Sequence, residues 1–399
     1  MSGPVGVRRA PIDDERTARA VWSRLAEPGD PVAAAVVGAL GAVEAWDWLC
    51  VAADAAGDLV APVAGLSPAA VSRLQRSVAG WATRLGGADP VRDLAHIAAL
   101  GGALLVPGDL QWPTPVDDLG DAAPLALWVI GDHTLARVVS SSVAVVGARA
   151  ASAYGEHVTA LIAGGLADAG RTVLSGGAFG IDAAAHRAAL AAEGCTVAVL
   201  AGGLDRPYPV GNARLLSAVA GAGTLVSEVP PGTAPTRPRF LLRNRLIAAL
   251  SGATVVVEAA WRSGALNTAG HAAGLLRPVG AVPGPVTAVT SAGCHRLLRE
   301  GKAVCVTDAE EVLELVEPLG ARRAEPEVDA RPEDAPGGDP EVQRVLEALP
   351  LRRGAAPDLL ARRAGLPFGV VCAHLGALEM SGHARQDDGR WTRAGPSGS

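Results

Sequence analysis

Short apolar runs alternate with amphipathic segments from residue 142 to residue 317, and this alternation constrains the fold more than any other feature of the sequence. Strands are predicted at 143–146, 172–175, 196–200, 224–227, 253–257 and 279–282. Helices are predicted near 152–169, 181–193, 212–221, 237–250, 264–276 and 308–317. Because strands of continuous Val, Ala and Leu are buried on both faces, the pattern predicts an α/β fold with a parallel sheet covered by helices.

Two glycine-bearing turns follow successive strands of the predicted sheet. The first reads Gly147-Ala-Arg149, and the second reads Gly176-Gly177-Ala-Phe-Gly180. Each turn leads into a helix, so backbone N–H groups and the positive end of a helix dipole face a common point. Ligands of parallel sheets bind at the carboxyl ends of the strands, and the two turns therefore predict a phosphate site.

The residues of these turns restrict which phosphate is bound. Arg149 replaces the second glycine of a dinucleotide fingerprint, so its side chain would crowd a pyrophosphate but suits a phosphodiester. The Gly-Lys-Ser/Thr of a P-loop is absent, which leaves nucleoside triphosphate hydrolysis without support. Phe179 at the tip of the second turn could stack a base or could pack beneath the loop. Arg149 in a surface ion pair is the alternative interpretation of that residue.

Arginines also follow the third and fourth predicted strands. Arg206 lies in a stiff, proline-containing loop beside Tyr208. The segment 236–245 holds four arginines and no acid, and its candidate residues are Arg237, Arg239, Arg243, Asn244 and Arg245, with Phe240 among them. Four positive charges near the start of a helix are repelled by the positive end of the helix dipole unless a bound anion compensates them. The mixture favours single-stranded nucleic acid, and a solvated helix start is the alternative.

A further anion site is predicted at Arg262-Ser263-Gly264, which opens a helix after the strand 253–257. Glu258 precedes it and is interpreted as an anchor for an arginine. Cys294 and His295 are neighbours on a predicted helix, so their side chains point about 100° apart and do not form a catalytic dyad. We predict no metal site, no cofactor and no catalytic residue.

Composition limits the remaining function classes. The chain has 399 residues, a formal net charge of −6 and only 3% aromatic residues, so any nucleic-acid site must be a local basic patch. Its five cysteines lack metal-ligand spacing. Without a signal-like N-terminus or a long apolar run, the sequence predicts a soluble, cytoplasmic protein that does not cross a membrane.

The flanking regions predict separate domains. Residues 1–88 are predicted to form a small helical domain, and residues 89–318 to form the α/β core. Residues 319–338 are rich in Pro, Glu and Ala and are predicted to be a flexible linker. Residues 339–399 are predicted to hold three helices and a hairpin turning at Asp388-Gly389, which is the layout of a winged helix.

The run from Val143 to Val312 resembles the DNA-processing protein A family (DprA, also called Smf). The segments that carry the resemblance are Val-Gly147-Ala-Arg149, Tyr154-Gly155, Ser175 to His186, Gly203 to Pro209, Ser227-Glu228, Arg243-Asn-Arg245, Glu258-Ala, Arg262-Ser-Gly264, Pro283-Gly284 and Gly293-Cys-His295. The flanks are similar to the accessory domains of the family, including a helical N-terminal domain of the SAM or helix-hairpin-helix kind.

The resemblance implies an extended Rossmann-like core without an enzymatic role. It implies that the core binds single-stranded DNA, forms a homodimer, and helps to load the RecA recombinase during natural transformation. Its DNA pocket would include Arg149, the turn 176–180 and the segment 243–245. Phe179 and Val210 depart from the basic residues found in some members, and Arg206, Arg237 and Arg239 are expected to compensate.

Two other functions stay open. A nucleotide phosphoribohydrolase of the lysine-decarboxylase-like ("Lonely guy") type has a similar fold, but its P-G-G-x-G-T-x-x-E motif is replaced here by Glu258-Ala-Ala-Trp-Arg-Ser-Gly. The winged helix could bind duplex DNA or dock a protein. Its wing carries Arg385 and Arg390 but also Asp387 and Asp388, which favours protein contact.

Overall fold

A computed structural model gives the fold, and it describes residues 12–54, 61–62, 65–132, 134–316, 340–350, 354–387 and 389–394. The chain divides into two compact units, Met1–Glu317 and Pro318–Ser399. The predicted linker, residues 319–338, lies outside the described residues. The predicted boundary at residue 88 falls inside the first unit, where the N-terminal helices pack against the sheet.

Five helices form the N-terminal part of the first unit: α1 (Glu15–Leu25), α2 (Pro31–Leu40), α3 (Ala42–Asp54), α4 (Pro68–Leu85) and α5 (Pro90–Ala99). Ser67 accepts a hydrogen bond from the Ala70 N–H and caps α4, as its position before Pro68 predicts. Trp22 of α1 packs edge-on against Trp81 of α4, with ring centroids 5.2 Å apart. These helices enclose their own apolar core.

Polar contacts from Ser23 and Arg24 help to join α1 to the rest of the first unit. The indole N–H of Trp128, which is fully buried in a strand of the sheet, donates to Ser23 Oγ at 3.2 Å. Arg24 forms an ion pair with Asp93 at 2.6 Å and donates to the backbone oxygen of Pro231 at 2.9 Å. The helices therefore cover an apolar part of the sheet rather than standing apart from it.

The sheet has nine strands within the described residues, in the order β1-β2-β6-β5-β4-β3-β7-β8-β9. The strands are β1 (Gly102–Leu105), β2 (Leu127–Gly131), β3 (Ser142–Val146), β4 (Thr172–Ser175), β5 (Thr196–Leu200), β6 (Thr224–Ser227), β7 (Ala253–Val256), β8 (Val279–Ala281) and β9 (Val304–Cys305). Strand β2 is antiparallel to both of its neighbours, and the pairs from β6 to β9 are parallel.

The six strands predicted between residues 143 and 282 are confirmed, and the mostly parallel α/β fold is confirmed with them. β1 was not predicted, because its four residues follow a glycine and give too short an apolar run to be distinguished from a loop. Helices on both faces complete the core: α6 (Leu135–Val139), α7 (Ala153–Asp168), α8 (Ile181–Ala191), α9 (Ala213–Ala222), α10 (Arg237–Ala249), α11 (Gly264–Gly274), α12 (Ala292–Arg299) and α13 (Ala309–Val316).

Alternation along β3 shows how the sheet is buried on two sides. Ala144 and Val146 pack in a core with α10 and α11, whereas Val143 and Val145 pack in a second core with α7, α8 and α13. Both faces are therefore apolar, as the continuous Val and Ala of the sequence require.

The order of the strands reverses beside β3. The chain runs from β3 through β4 and β5 to β6 on one side, and then returns to place β7 on the other side of β3. The loops that follow β3 and β7 therefore lie side by side at the carboxyl edge and lead to α7 and α11 on opposite faces of the sheet. Such a switch point is where parallel α/β sheets bind ligands.

The second unit contains α14 (Pro340–Ala348), α15 (Pro357–Ala364), α16 (Phe368–Met380), β10 (Ala384–Asp387) and β11 (Arg390–Arg393). The two strands form an antiparallel hairpin, and Trp391 also bridges to Ala355. Three helices followed by this hairpin confirm the predicted winged helix. Asp388 of the predicted hairpin turn lies outside the described residues.

No single helix in the described part of the chain is long and apolar enough to cross a membrane. α2 and α3 reach the required length and composition only as a pair, and a bend of 114° separates them.

Candidate functional site

An arginine and two aromatic rings lie together at the carboxyl edge of the sheet, where Arg149 and Tyr208 are exposed and Phe240 is half-buried between them. The guanidinium of Arg149, in the loop after β3, lies 5.0 Å from the centre of the Phe240 ring. The Phe240 ring lies 5.7 Å from the ring of Tyr208, which follows β5 and is 48% exposed. Loops that are far apart in sequence therefore meet around Arg149, which is itself exposed.

Phe179 adds a second exposed ring, which is 49% exposed at the tip of the turn after β4. The ring lies against Gly211, where a Cβ would overlap it. Asn212 fixes the same turn, because its Nδ2 donates to the backbone oxygens of Gly177 and Ala178, both at 3.0 Å. Of the two interpretations of Phe179, the structure supports the exposed ring over one packed beneath the loop.

The turn 176–180 does not offer all of its N–H groups to a ligand, which corrects the predicted anion site. The buried carboxylate of Asp182 accepts from the N–H groups of Gly176 at 3.2 Å and Ala178 at 3.4 Å. Burial raises the pKa of Asp182, while the nearby Arg243 opposes that rise. Asp182 therefore caps two N–H groups of the turn, which are no longer available to a phosphate.

Glycine at the start and end of this turn is required by close packing. A Cβ on Gly176 would overlap the guanidinium of Arg243, and one on Gly180 would overlap the backbone oxygen of Ala148. Gly180 also has a φ of 74°, in the left-handed region. Gly176, Gly177 and Gly180 thus shape the turn and hold it against the β3 loop.

Arg243 was predicted to contact DNA, but the structure buries it beneath the edge of the sheet. Its side chain is 6% exposed and donates to the backbone oxygens of Gly176, at 2.7 Å, and Val199. Burial lowers the pKa of Arg243 to about 10. The side chain supports the turn 176–180 from below and does not present its charge to solvent.

Asn244 and Arg245 are also buried, which corrects their predicted place in the DNA pocket. Asn244 Nδ2 donates to the backbone oxygen of Gly264 at 3.3 Å and to Asn267 Oδ1 at 3.2 Å, which joins α10 to α11. Arg245 forms an ion pair with Glu228 at 2.6 Å, and Glu228 also accepts from the Gly29 N–H at 3.1 Å.

The outer arginines of the same segment differ from one another. Arg239 forms a two-point ion pair with Glu27, at 2.9 and 3.1 Å, so its charge is already compensated. Arg237 is exposed at the start of α10 and forms no ion pair with any residue that the structure describes. Arg206 is exposed beside Asp205, at 3.6 Å.

Glu27 and Glu228 supply the negative charge that the segment 236–245 lacks. Glu27 lies in the loop after α1, and Glu228 follows β6. No local pattern in the sequence connects these two residues with the arginines. The expected external anion is therefore replaced by two carboxylates of the chain itself for Arg239 and Arg245.

The loop after β7 carries the third predicted anion site. Arg262 is exposed, and Gly264 begins α11 with open space around it. Ser263 caps α11 by accepting from the Ala265 N–H at 3.3 Å, so its hydroxyl oxygen serves the helix. Of these three residues, Arg262 presents a free charge to solvent.

Glu258 does not anchor an arginine, contrary to its predicted role. Its buried carboxylate accepts from Ser152 N at 2.9 Å, Ser152 Oγ at 2.6 Å and Thr290 Oγ1 at 3.0 Å. A Cβ on Gly155 would overlap this carboxylate. Glu258 thus fixes the start of α7 and the segment before α12.

The described residues hold no group of three or more His, Cys, Asp or Glu arranged to bind a metal ion. Cys294 and His295 point to different partners: Cys294 Sγ lies 3.5 Å from the Val256 oxygen, and His295 Nε2 lies 3.0 Å from the Gly284 oxygen. Burial raises the pKa of the Cys294 thiol to about 12. This pair therefore lacks the geometry and the acidity of a nucleophile and its base.

The architecture defines a Rossmann-like protein with an arginine–aromatic edge, a helical N-terminal part and a C-terminal winged helix. The family model "DNA recombination-mediator protein A" matches residues 103–317, and the model "DprA winged helix domain" matches residues 329–390. The chain belongs to the DprA/Smf family of DNA-processing proteins.

Individual relatives agree with this assignment. The chain is 45% identical over 391 residues to the putative DNA processing protein DprA of Mycobacterium tuberculosis, with 95% of each chain covered. It is 39% identical to protein Smf of Escherichia coli, covering 74% of this chain and 76% of that one. The X-ray structure of DprA from Streptococcus pneumoniae superposes with a TM-score of 0.58 at 30% identity, over 78% of this chain and all of that one.

Proposed function

We propose that the exposed edge around Arg149 binds single-stranded DNA, and that the protein acts as a non-enzymatic mediator that helps to load the RecA recombinase. We propose further that it works in the cytoplasm as a homodimer. Membership in a family of DNA-processing recombination mediators supports the general role. The dimer and the recombinase contact rest on the family resemblance.

One observation carries the choice of ligand: Arg149 and Tyr208 are exposed on either side of the half-buried Phe240 ring, which contacts both, and Phe179 adds an exposed ring nearby. Aromatic faces bind unstacked bases of any sequence, and a guanidinium binds the phosphodiester between them. A duplex keeps its bases stacked inside the helix and would leave these rings without partners. The arrangement therefore favours a single strand.

The charge of the site agrees with this ligand. Arg149, Arg237 and Arg262 are exposed and form no ion pair with any described residue, although the chain as a whole is acidic. Arg206 adds a fourth exposed guanidinium beside Asp205. DNA bound by these side chains would release counterions, so its affinity should fall steeply as salt rises.

A phosphoribohydrolase is disfavoured by the state of Glu258. An acid that acts on a nucleotide must reach its substrate, but this carboxylate is buried and its oxygens accept from Ser152 and Thr290. Incubation with nucleoside monophosphates should release no free base. Release of base at a rate that a Glu258→Gln variant abolishes would overturn the non-enzymatic role.

Binding of labelled oligonucleotides over a range of salt concentrations tests the proposal. The Arg149→Ala variant should bind single-stranded DNA about 10- to 100-fold more weakly, because a charge-assisted hydrogen bond contributes about 1.5–3 kcal/mol. The slope of log K against log salt should become shallower by about 0.7 if one phosphate contact is lost. Arg137→Ala is the matched control, because exposed Arg137 lies in α6, before β3 and at the amino edge of the sheet.

Equal affinity of the Arg149→Ala and Arg137→Ala variants would refute the site. Tighter binding of duplex than of single-stranded DNA by the unaltered protein would refute the ligand. RecA loading is tested separately, by following RecA's DNA-dependent ATP hydrolysis with and without the protein. Sedimentation gives the oligomeric state.

For the winged helix, the exposed surface of α16 favours protein contact over duplex DNA. Phe368, Cys372 and Met380 are exposed on this helix, and none of its residues is Lys or Arg. A helix that enters a DNA groove normally carries basic or amide side chains. Removing the residues after 317 should therefore leave duplex binding unchanged in a gel-shift assay, and a loss of duplex binding would favour the DNA-binding alternative.

A further inference from the structure

Trp261 is an exposed ring that the sequence analysis did not assign to any site. It lies in the loop between β7 and α11 and is 51% exposed. The guanidinium of Arg296, on α12, lies 5.2 Å from the centre of this ring. This arrangement repeats the stacking of Arg149 on Phe240, in a chain where aromatic residues are only 3% of the total.

The loop that carries Trp261 is held firmly against α12. The Ala259 N–H donates to the Thr290 oxygen, and the Gly293 N–H donates to the Ala259 oxygen, both at 2.7 Å. A Cβ on Gly293 would overlap the backbone of this loop. The short distance between these backbones keeps Arg296 and Trp261 in place, so the pair is preorganised rather than formed on binding.

The position of Trp261 places it next to the proposed DNA site. β7 pairs with β3 on the side away from β4, so the Trp261 loop and the Arg149 loop lie on the two sides of the switch point. The two loops are packed together, because a Cβ on Gly147 would overlap the backbone oxygen of Glu258. Asn244 of α10 also donates to the backbone oxygen of Gly264, at the end of the Trp261 loop.

The surroundings of Trp261 carry positive charge. Arg262 and Arg299 are exposed, and Lys302 forms an ion pair with Glu300 at 2.8 Å. Arg296 lies 3.4 Å from the same carboxylate. Arg296 and Lys302 thus share one acid, while Arg262 and Arg299 form no ion pair with any described residue, which leaves net positive charge for a phosphate backbone.

We propose that Trp261, supported by Arg296, is a second base-stacking position for single-stranded DNA. One strand would contact the Phe179, Tyr208 and Phe240 side of the switch point and would continue across the Arg149 loop to Trp261. The inference rests on the proposed function, because it extends the same DNA path. A base can stack on the solvent-exposed part of the Trp261 ring. The guanidinium of Arg296 then adds positive charge beside the ring and the stacked base.

Binding of oligothymidylates of increasing length tests this extension, for example from about 4 to about 16 nucleotides, the range of known single-strand site sizes. Trp261→Ala should weaken binding of the longer oligomers by about 5- to 140-fold, the equivalent of losing one stacked base. The shortest oligomers that still bind at the Arg149 side should lose little affinity. Trp261→Phe should retain most of the affinity for the long oligomers.

The control is Leu276→Ala, because Leu276 is 94% exposed but precedes β8 and so lies at the amino edge of the sheet. Equal affinity of the Trp261→Ala and Leu276→Ala variants for long oligomers, with Arg149→Ala still defective, would overturn the second position and leave the proposed function intact. Loss of binding in Trp261→Ala at every length, with Trp261→Phe equally defective, would also overturn it. Unimpaired binding by Arg149→Ala would instead refute the proposed function.

Discussion

Exchanging Arg245 for methionine removes one half of a buried ion pair, and we expect it to lower the stability of the first unit rather than its affinity for DNA. The Arg245 and Glu228 side chains are 4% and 10% exposed, and their closest atoms are 2.6 Å apart. Removing one partner of such a pair typically costs about 3–5 kcal/mol. Because Glu228 keeps its hydrogen bond from Gly29, the lower end of this range is expected, about 3 kcal/mol.

Urea unfolding at pH 7, followed by tryptophan fluorescence, measures this loss. With an m value of about 3 kcal/mol/M, the midpoint should fall by about 1 M. The double variant Arg245→Met/Glu228→Gln removes both charges and should be more stable than the single variant by about 1–3 kcal/mol. The folded fraction of Arg245→Met should bind oligonucleotides with the affinity of the unaltered protein. A large loss of DNA binding with no change in the urea midpoint would show that Arg245 contacts DNA instead of stabilising the fold.

Two other predictions concern single side chains in the same unit. Burial lowers the pKa of His186 to about 3, and its Nε2 has no hydrogen-bond partner among the described residues, so the unfolded chain binds the proton more tightly. Stability should fall by about 1.4 kcal/mol per pH unit below pH 6.5 on account of this group. Urea titrations should show a shallower decline for His186→Gln, and parallel curves would contradict the burial argument. Asp14 caps α1 through the Thr17 N–H at 2.8 Å, so Asp14→Ala should cost about 1 kcal/mol near neutral pH. Its side-chain hydrogen bond with Thr17 lowers the pKa of Asp14, so this contribution should disappear as the pH falls below about 4, and a difference that persists at pH 2 would contradict it.

The sequence was sufficient to predict the sheet because its strands are continuous apolar runs. β3, β4 and β5 are buried on both faces, and that burial leaves a pattern that is readable without a structure. The same is true of the cap of α4, since Ser67 is a hydrogen-bonding residue directly before the Pro68 that begins the helix. These elements depend on residues that are close together in the sequence, so the sequence was sufficient to predict them.

The site was less predictable because an arginine can either face solvent and bind a ligand or be buried and support the fold. Arg149 is exposed in the loop after β3 and Arg243 is buried in the middle of α10, and the residues that flank them in the sequence do not show which of the two is buried. The difference depends on long-range partners: Arg243 lies near Asp182, and Arg245 pairs with Glu228. A pattern of charges along a sequence gives no information on which charges fold inward together.

The hydrogen bond between Trp128 and Ser23 determines how an N-terminally truncated protein is expected to behave. Starting translation at codon 89 would strip α1 to α4 from the sheet, uncover a large indole without a partner for its N–H, and leave Arg239 without Glu27. Such a trimmed polypeptide should accumulate as inclusion bodies. The codons for α1 to α4 therefore belong to the smallest expressible form of the core.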